Sequence, residues 1–430
     1  MDLSRRTLLA GGLAAVLGGT VVACSSGMDT GSTPKKNATG NLALWCWPGG
    51  LGKSVLDDTI AHFPDQHIKY SEVGGDFKQK LLTTFSGGTS IPDITGIKGE
   101  DIASLLPQAS RFVDLKTIGA DDAFLSQYLE WKVKQATTLD GKVLGIPIDI
   151  GPTALFYRED VFTAGGLPGD PAKVAEQMKS WDDFLQAGVE LKAKNPKAFI
   201  VADAVDMYGT IVNQGTSRYI DKDNKFIGDQ DHIRKAWDTA VKAMTLKVDG
   251  KTLGGSNDWN AGLDQGTVPT VVGAAWVALD IKAAAKTSVG KWRVAPTPGG
   301  AANFGGSFLA ITKNAPDPKA AFEVIKYMLS PDNEAKAFAD AQIFPAAPAA
   351  YDKPQLKAAD PFFGGQVPIE VFGPAAKEIP IAYEAPLDAA ISVPFTDALK
   401  LVQVGKKTSD AAWAEAVEKA KQIGKRQGVQ

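Results

Sequence analysis

From Asn41 onward, apolar positions recur with two alternating periods. The run Leu42 to Trp47 is followed by Leu56, Ile60 and Phe63 at helical spacing and then by an alternating stretch from His67 to Val73, which predicts strand, helix, strand. Phe77, Leu81, Leu82 and Phe85 share one helical face, Gly87-Gly88 breaks it, and Pro92-Asp93-Ile94 opens another short strand. Successive units of this kind predict a parallel sheet covered by helices. Two apolar runs, Val143 to Ile148 and Thr153 to Arg158, are separated only by Asp149-Ile150-Gly151-Pro152, where the chain is expected to pass between lobes. Ser180-Trp181-Asp182-Asp183 has the form of a capping box, feeding Phe184, Leu185, Val189 and Leu191 into a core. Further strands are predicted over 270–277, 292–298 and 308–312. Helices are predicted to start at Asp317-Pro318 and Ser330-Pro331, and a last amphipathic helix carries Trp413, Ala416, Val417, Ala420 and Ile423.

The first forty residues follow a different pattern. Arg5-Arg6 precedes an uncharged stretch, Thr7 to Ala23, that contains Gly11, Gly12, Gly18 and Gly19. A spanning helix needs about 20 strongly apolar residues, so this small-residue stretch reads as an export signal. The arginine pair resembles a twin-arginine signal, and Val21-Val22-Ala23-Cys24 resembles a lipobox. Residues 1–23 are therefore expected to be a signal peptide, Cys24 the lipidation site, and residues 24–40, rich in turn formers, a flexible stalk. Acylation of Cys24 leaves Cys46 without a partner, so no intrachain disulfide is expected. Cys46, inside an apolar run, reads as a small buried hydrophobe.

Composition narrows the chemistry. The 430 residues are 44% hydrophobic and 22% charged, an ordinary globular balance, and the net charge of −3 provides no basic field for nucleic acid. Two cysteines and three histidines exclude cysteine-rich scaffolds, zinc arrays and iron-sulfur proteins. His62, His67 and His232 are scattered, without metal or triad spacing. Gly49-Gly50-Leu51-Gly52-Lys53-Ser54 invites comparison with a phosphate loop, but Trp47 stands where its first glycine is required. Asp221-Lys222-Asp223-Asn224 faintly suggests a calcium loop, yet Phe226 and His232 occupy the positions of the required Gly and Glu. No metal, no cofactor and no catalytic group is expected.

Nine tryptophans carry more information. Trp181, Trp237 and Trp413 fall on helical faces as packing residues. Trp45 and Trp47 share a strand face, with Trp47 at the strand end beside the glycine loop, and Trp276 closes the strand over 270–277. In open α/β sheets ligands bind beyond the carboxyl ends of strands, which places Trp47 and Trp276 where a ligand would be. Trp259, read as a loop residue, joins them.

The order of segments resembles family 1 extracellular solute-binding proteins of carbohydrate ABC importers. The resemblance is carried by Asp76 to Leu82, Gly87-Gly88 and Pro92-Asp93-Ile94, and above all by the long run Asp140 to Phe162 with Ala164 to Pro168 and Ser180 to Phe184. Gly273 to Trp276, Gly305 to Ile311 and Phe362 to Gln366 follow in the expected order. The resemblance implies an α/β, two-lobed periplasmic-binding-protein fold of type II-like form, each lobe a sheet flanked by helices and joined by crossing hinge segments. Lobe 1 would comprise 41–150 plus 301–343, and lobe 2 would comprise 151–300 plus 344–430.

The implied protein is a non-enzymatic, extracytoplasmic lipoprotein, monomeric and tethered to the membrane by lipid. It would capture a sugar, a di- or oligosaccharide, and deliver it to the transmembrane permease subunits of an ABC importer. A polyol or glycerol phosphate ester as ligand, and a secreted carbohydrate-active enzyme, are the alternatives left open. The matching positions imply a ligand site of Trp47, Gly49, Asp76, Glu100, Asp101, Asp149, Trp259, Trp276, Gly305, Gly306, Phe363 and Gln366. Indole and phenyl rings would stack on the C–H face of a pyranose, carboxylates and amide would bind hydroxyls, and the paired glycines would admit close backbone approach. Phe304 stands where many relatives have tryptophan, which leaves a stacking role there open.

Overall fold

A computed structural model describes residues 41–430; the expected signal peptide, the expected lipidation site Cys24 and the expected stalk lie outside the described residues. Strands β1 (Ala43–Cys46), β2 (Lys69–Glu72), β3 (Ile94–Lys98), β4 (Ile146–Asp149), β5 (Thr153–Arg158), β6 (Thr270–Ala274), β7 (Trp292–Pro296) and β8 (Ser307–Ile311) form two sheets. The first has the order β2-β1-β3-β8-β4 and the second β6-β5-β7.

The expected wholly parallel sheet is only half realised. β1 pairs in parallel with β2 and β3, as helix-linked strands must. β8, however, runs antiparallel between β3 and β4, because it enters from the opposite lobe. In the second sheet β5 is antiparallel to both neighbours, which arrive after long excursions through helices.

Both faces of each central strand are covered. Phe308 and Ala310 pack with Phe77, Leu81 and Phe85, while Leu309 and Ile311 pack with Leu44, Ile94 and Phe322 on the opposite face. In β5, Leu155 and Tyr157 join the second lobe's helical core, whereas Ala154 and Phe156 face the other way. Two-sided burial explains why these strands read as continuous apolar runs, each large side chain contributing about 1.5–3 kcal/mol.

The helices begin where their capping residues stand. Ser180 and Asp183 form the reciprocal capping box of Trp181–Lys194, with Ser180 N–H donating to Asp183 Oδ2 at 3.1 Å and Asp183 N–H to Ser180 Oγ at 3.1 Å. Asp317 accepts from Ala320 N–H at 3.0 Å ahead of Pro318–Met328. The last helix, Ser409–Arg426, packs along Asp388–Gln403, and Trp237 meets Trp413 edge-on with ring centroids 5.4 Å apart. Cys46 is fully buried and burial pushes its thiol up to about 12, as befits a packing residue. Asp221 Oδ1 accepts from Asp223 N–H and Lys225 N–H, so that carboxylate closes a turn between Ile220 and Phe226.

The chain crosses between sheets at three places. Residues 149–153 meet residues 302–307, with Phe304 N–H donating to Gly151 O at 2.9 Å and Gly151 N–H to Asn303 Oδ1 at 2.9 Å. The third crossing runs alongside, Ile150 N–H donating to Phe344 O at 3.0 Å. Past the boundary expected at 343, Ala346 and Ala347 still bond to the first lobe, through Leu129 N–H and Glu334 Oε2 respectively.

Candidate ligand-binding cleft

Between the two sheets the crossing strands form a floor. At Gly151 a Cβ would lie 1.7 Å from Phe304 O, and at Gly99 it would lie 2.3 Å from Gly306 O. Gly305 and Gly306 adopt positive φ of 72° and 78°. These glycines let three backbone segments touch, which brings the end of β3, the crossing floor and the end of β6 to one place.

On the second-lobe side the floor opens into a cavity of about 690 Å³. The strand β6 ends at Ala274, three residues earlier than the sequence pattern suggests, and Trp276 stands in the turn ahead of helix Val277–Ala284. There its indole is 43% exposed, the one aromatic among the large exposed hydrophobic side chains of the described residues. It projects into the cavity beside Leu253, itself 65% exposed. Trp259 also lines this cavity, but as part of its wall. It lies in helix Asn257–Gln265 rather than in a loop and is only 4% exposed.

Asp206, in the first turn of helix Ala204–Asn213, is the residue the sequence did not single out. Its neighbour Asp203 caps the helix, accepting from Val205 N–H at 2.7 Å. Asp206 itself opens onto the cavity, and its carboxylate has no hydrogen-bond or ion-pair partner among the described residues. Asp206 is exposed on the cavity wall, yet desolvation of its carboxyl there, reinforced by the Asp203 charge, pushes it up to about 6, while Lys400 pulls the other way. Asp280 faces the same cavity and is raised by burial. The Asp203-x-x-Asp206 spacing at a helix start was the available signal: one carboxylate caps, and the other is spare.

Phe304 joins this cavity to a second, of about 280 Å³, which reaches the first lobe at Gly99, Glu100 and Ser104. Half-buried, the Phe304 ring approaches Gly209, and it occupies the middle of the cleft floor. Glu100 and Gly305 line this second cavity, with Asn213 and Thr396 opposite. Gly305 also approaches Trp276, whose Nε1 lies 3.9 Å from the position a Cβ would take.

The structure therefore brings Glu100, Trp259, Trp276 and Gly305 together and leaves the other predicted residues elsewhere. Trp47 packs edge-on against Phe77 at 5.4 Å and under Lys98 Nζ at 5.5 Å, its indole covering Gly50 and Gly96. Gly49 supplies a positive φ of 76° in the exposed turn that follows. Asp76 caps helix Phe77–Gly87, accepting from Gln79 N–H at 2.9 Å, and Asp101 pairs with Lys78 at 3.2 Å. Asp149 lies beneath the floor beside Ser307. Burial raises its carboxyl, and the Lys132 charge opposes that rise. Lys132 is wholly buried, donates to Gln135 Oε1 at 2.8 Å, and is pushed down to about 8 by burial, with Asp149 supporting its charge. Gly306 is closed in by Asp149 O.

Two predicted contacts lie in the second lobe's core, away from these cavities. Phe363 is 1% exposed and packs on Phe156 at 5.7 Å. Gln366 uses both ends of its amide on β7, accepting from Val294 N–H at 2.8 Å and donating to Val294 O at 2.7 Å. Aromatic and amide side chains suit a buried strand edge as well as they suit a sugar, so residue type alone cannot separate the two uses.

Among the described residues no group of three or more His, Cys, Asp or Glu side chains is arranged to hold a metal, and no helix is long and apolar enough to cross a membrane.

Comparison with known proteins points one way. The family described as bacterial extracellular solute-binding protein matches residues 65–363. A lactose-binding protein from Rhizobium radiobacter is 24% identical over 431 residues, covering 93% of this chain and 95% of that one. A crystal structure of an extracellular solute-binding protein of family 1 superposes with a TM-score of 0.85 at 30% identity, over 90% of this chain and 100% of its own. The ABC-transporter-associated binding protein of B. animalis subsp. lactis Bl-04, solved in complex with β-1,6-galactobiose, gives a TM-score of 0.68 at 24% identity, over 91% and 99%.

Proposed function

The chain belongs to the bacterial extracellular solute-binding proteins, which act outside the cytoplasm, and from that premise we propose that its solute is a di- or oligosaccharide held between the lobes and passed to the permease of an ABC importer. The observation that carries this reading is Trp276, an indole left 43% exposed on the wall of a cavity that also presents an unpartnered carboxylate. A pyranose matches both, with a C–H face for the ring and hydroxyl donors for Asp206. Phe304 takes the floor position, and Glu100 reaches the sugar from the first lobe. The lactose-binding relative and the galactobiose complex support the same class of ligand.

A phosphate ester fits less well. Asp203, Asp206 and Asp280 line the larger cavity against the single cation Lys400, and Arg218 in the smaller one already donates to Val212 O and Gly215 O. We take lobe 1 as residues 41–150 with 301–347 and lobe 2 as 151–300 with 348–430. We place the protein as a monomer on the membrane through lipid at Cys24, which a Cys24→Ala variant should release into the soluble fraction.

The test is a thermal-shift screen of the purified protein against mono-, di- and oligosaccharides, followed by calorimetry. A bound sugar at about 100 times its Kd should stabilise the fold by roughly 2.7 kcal/mol. Silence across the panel would sink the sugar reading, and turnover of any panel member would reinstate the enzyme.

A further inference from the structure

Leu253 stands on the rim of the Trp276 cavity, in the segment that joins Asp249 to helix Asn257–Gln265. Both ends of that segment are pinned. On one side Gly250 N–H donates to Val201 O at 2.8 Å, Lys251 Nζ to Gln403 O at 2.8 Å, and Thr252 to Ala202 O through its N–H at 2.9 Å and its hydroxyl at 3.0 Å. On the other side Ser256 Oγ accepts from Trp259 N–H at 3.2 Å and starts the helix.

Between these anchors lies the tip Leu253-Gly254-Gly255. With Ser256 it makes a single turn, closed by Ser256 N–H donating to Leu253 O at 3.0 Å, and Gly255 has the φ of 77° that the third position of a type II turn requires. A Cβ on Gly254 or Gly255 would meet nothing within 4 Å. One hydrogen bond therefore holds the tip's shape, and nothing packs against its glycines. Leu253 itself is 65% exposed although it lines a cavity. A lone exposed leucine needs no explanation, but Leu253 and Trp276 are the two exposed large apolar side chains on this cavity and come from separate segments of the chain. A fixed wall would not need two successive glycines behind its leucine, because they cost backbone order.

Resting on the sugar reading of this cavity, we propose that Leu253-Gly254-Gly255 is a flap: when a sugar ring lies on Trp276, the turn moves at its glycines and Leu253 settles on the part of the ring that the indole leaves open. Thr252 and Ser256 stay pinned to the segments that lead to Asp206 and Trp259, so the movement is confined to the tip. It takes place within the second lobe and is separate from any approach of the lobes. Leu253 and the C–H groups beneath it leave water together, which favours the bound state, and the sugar departs only when the flap lifts. The flap thus acts on the dissociation rate.

Stopped-flow kinetics on the full protein test this, with the tightest binder among lactose, β-1,6-galactobiose, maltose and maltotriose as probe. Leu253→Ser should speed dissociation about tenfold, equivalent to about 1.4 kcal/mol, with the association rate and the ligand-free melting midpoint unchanged, and Leu253→Met should keep the parent rate. Gly254→Pro suits the second position of the turn and holds it in its present shape. It should speed dissociation by a similar factor, and combining it with Leu253→Ser should add nothing further. Parent-like dissociation in Leu253→Ser overturns the proposal while sugar binding itself stands. A loss in Leu253→Ser with none in Gly254→Pro makes the leucine a fixed wall and overturns the flap. Absence of binding by the parent protein across these sugars and the wider panel removes the sugar reading and the flap with it.

Discussion

The two rims of the cleft are built from similar residues and differ in what those residues have left to give. Of the first-lobe residues predicted for the site, Asp76 is spent on a helix cap, Asp101 on Lys78, and Trp47 on Phe77 and two glycines, which leaves Glu100 to line the cleft. On the second-lobe rim, Trp276 stands 43% exposed and Asp206 has no partner. A strand-end position shows where a ligand could be. Unused bonding capacity shows which side chains can hold it, because a group already satisfied gains little by exchanging one partner for another.

Four substitutions would break or sharpen that contrast. Trp259→Ala should have the largest effect, costing about 3–5 kcal/mol of stability because it empties a buried site. Chemical denaturation should register the loss, and an unchanged midpoint would return Trp259 to the ligand-contact class. Trp276→Ala should leave the unfolding midpoint near that of the parent and weaken sugar binding by about 2 kcal/mol, roughly thirtyfold. If stability fell and affinity held, the indole would be packing rather than a platform.

Asp206→Asn should separate binding from stability. A hydroxyl donor favours the ionised carboxylate, so affinity in the parent should fall as pH drops through about 6, and the Asn variant should bind about tenfold more weakly with a flat profile. The folded carboxyl is raised above its ordinary value, so ionising it opposes folding, and that cost appears as pH rises from the ordinary value through about 6. The ligand-free variant should therefore melt no lower than the parent at pH 8. A lower melting point there, or a pH profile like the parent's, would remove Asp206 from the site. The smallest change is Asp76→Ala, which should cost about 1 kcal/mol of stability through the lost cap. Sugar affinity should be unchanged, and a clear loss would restore the first-lobe rim.

Much of the fold was legible because its signals are local. The capping box at Ser180, the Asp317-Pro318 start and the apolar run from Phe308 to Ile311 each depend on neighbours in sequence. Strand direction was not, since the sense of β8 depends on a passage through the other lobe. For the site, Trp276 could be read from its place after an apolar strand and from the family pattern. Phe363 and Gln366 share that pattern but face a core and a strand edge, a distinction set by packing. Asp206 was one of 49 acidic residues, marked in the sequence only by its spacing from the capping Asp203 and in the structure by its place on the cavity wall.

The position of β8 also bears on the order in which the molecule can be assembled. Residues 307–311 lie between β3 and β4, so β4 has no neighbour in the first sheet until a segment made about 160 residues later arrives. A chain growing from its N-terminus can complete neither that sheet nor the floor at Gly151 until most of its length exists. Such long-range closure makes folding slow relative to a helical bundle and keeps apolar strand surface open meanwhile. Late completion leaves chaperones an interval in which to act on an unfinished chain.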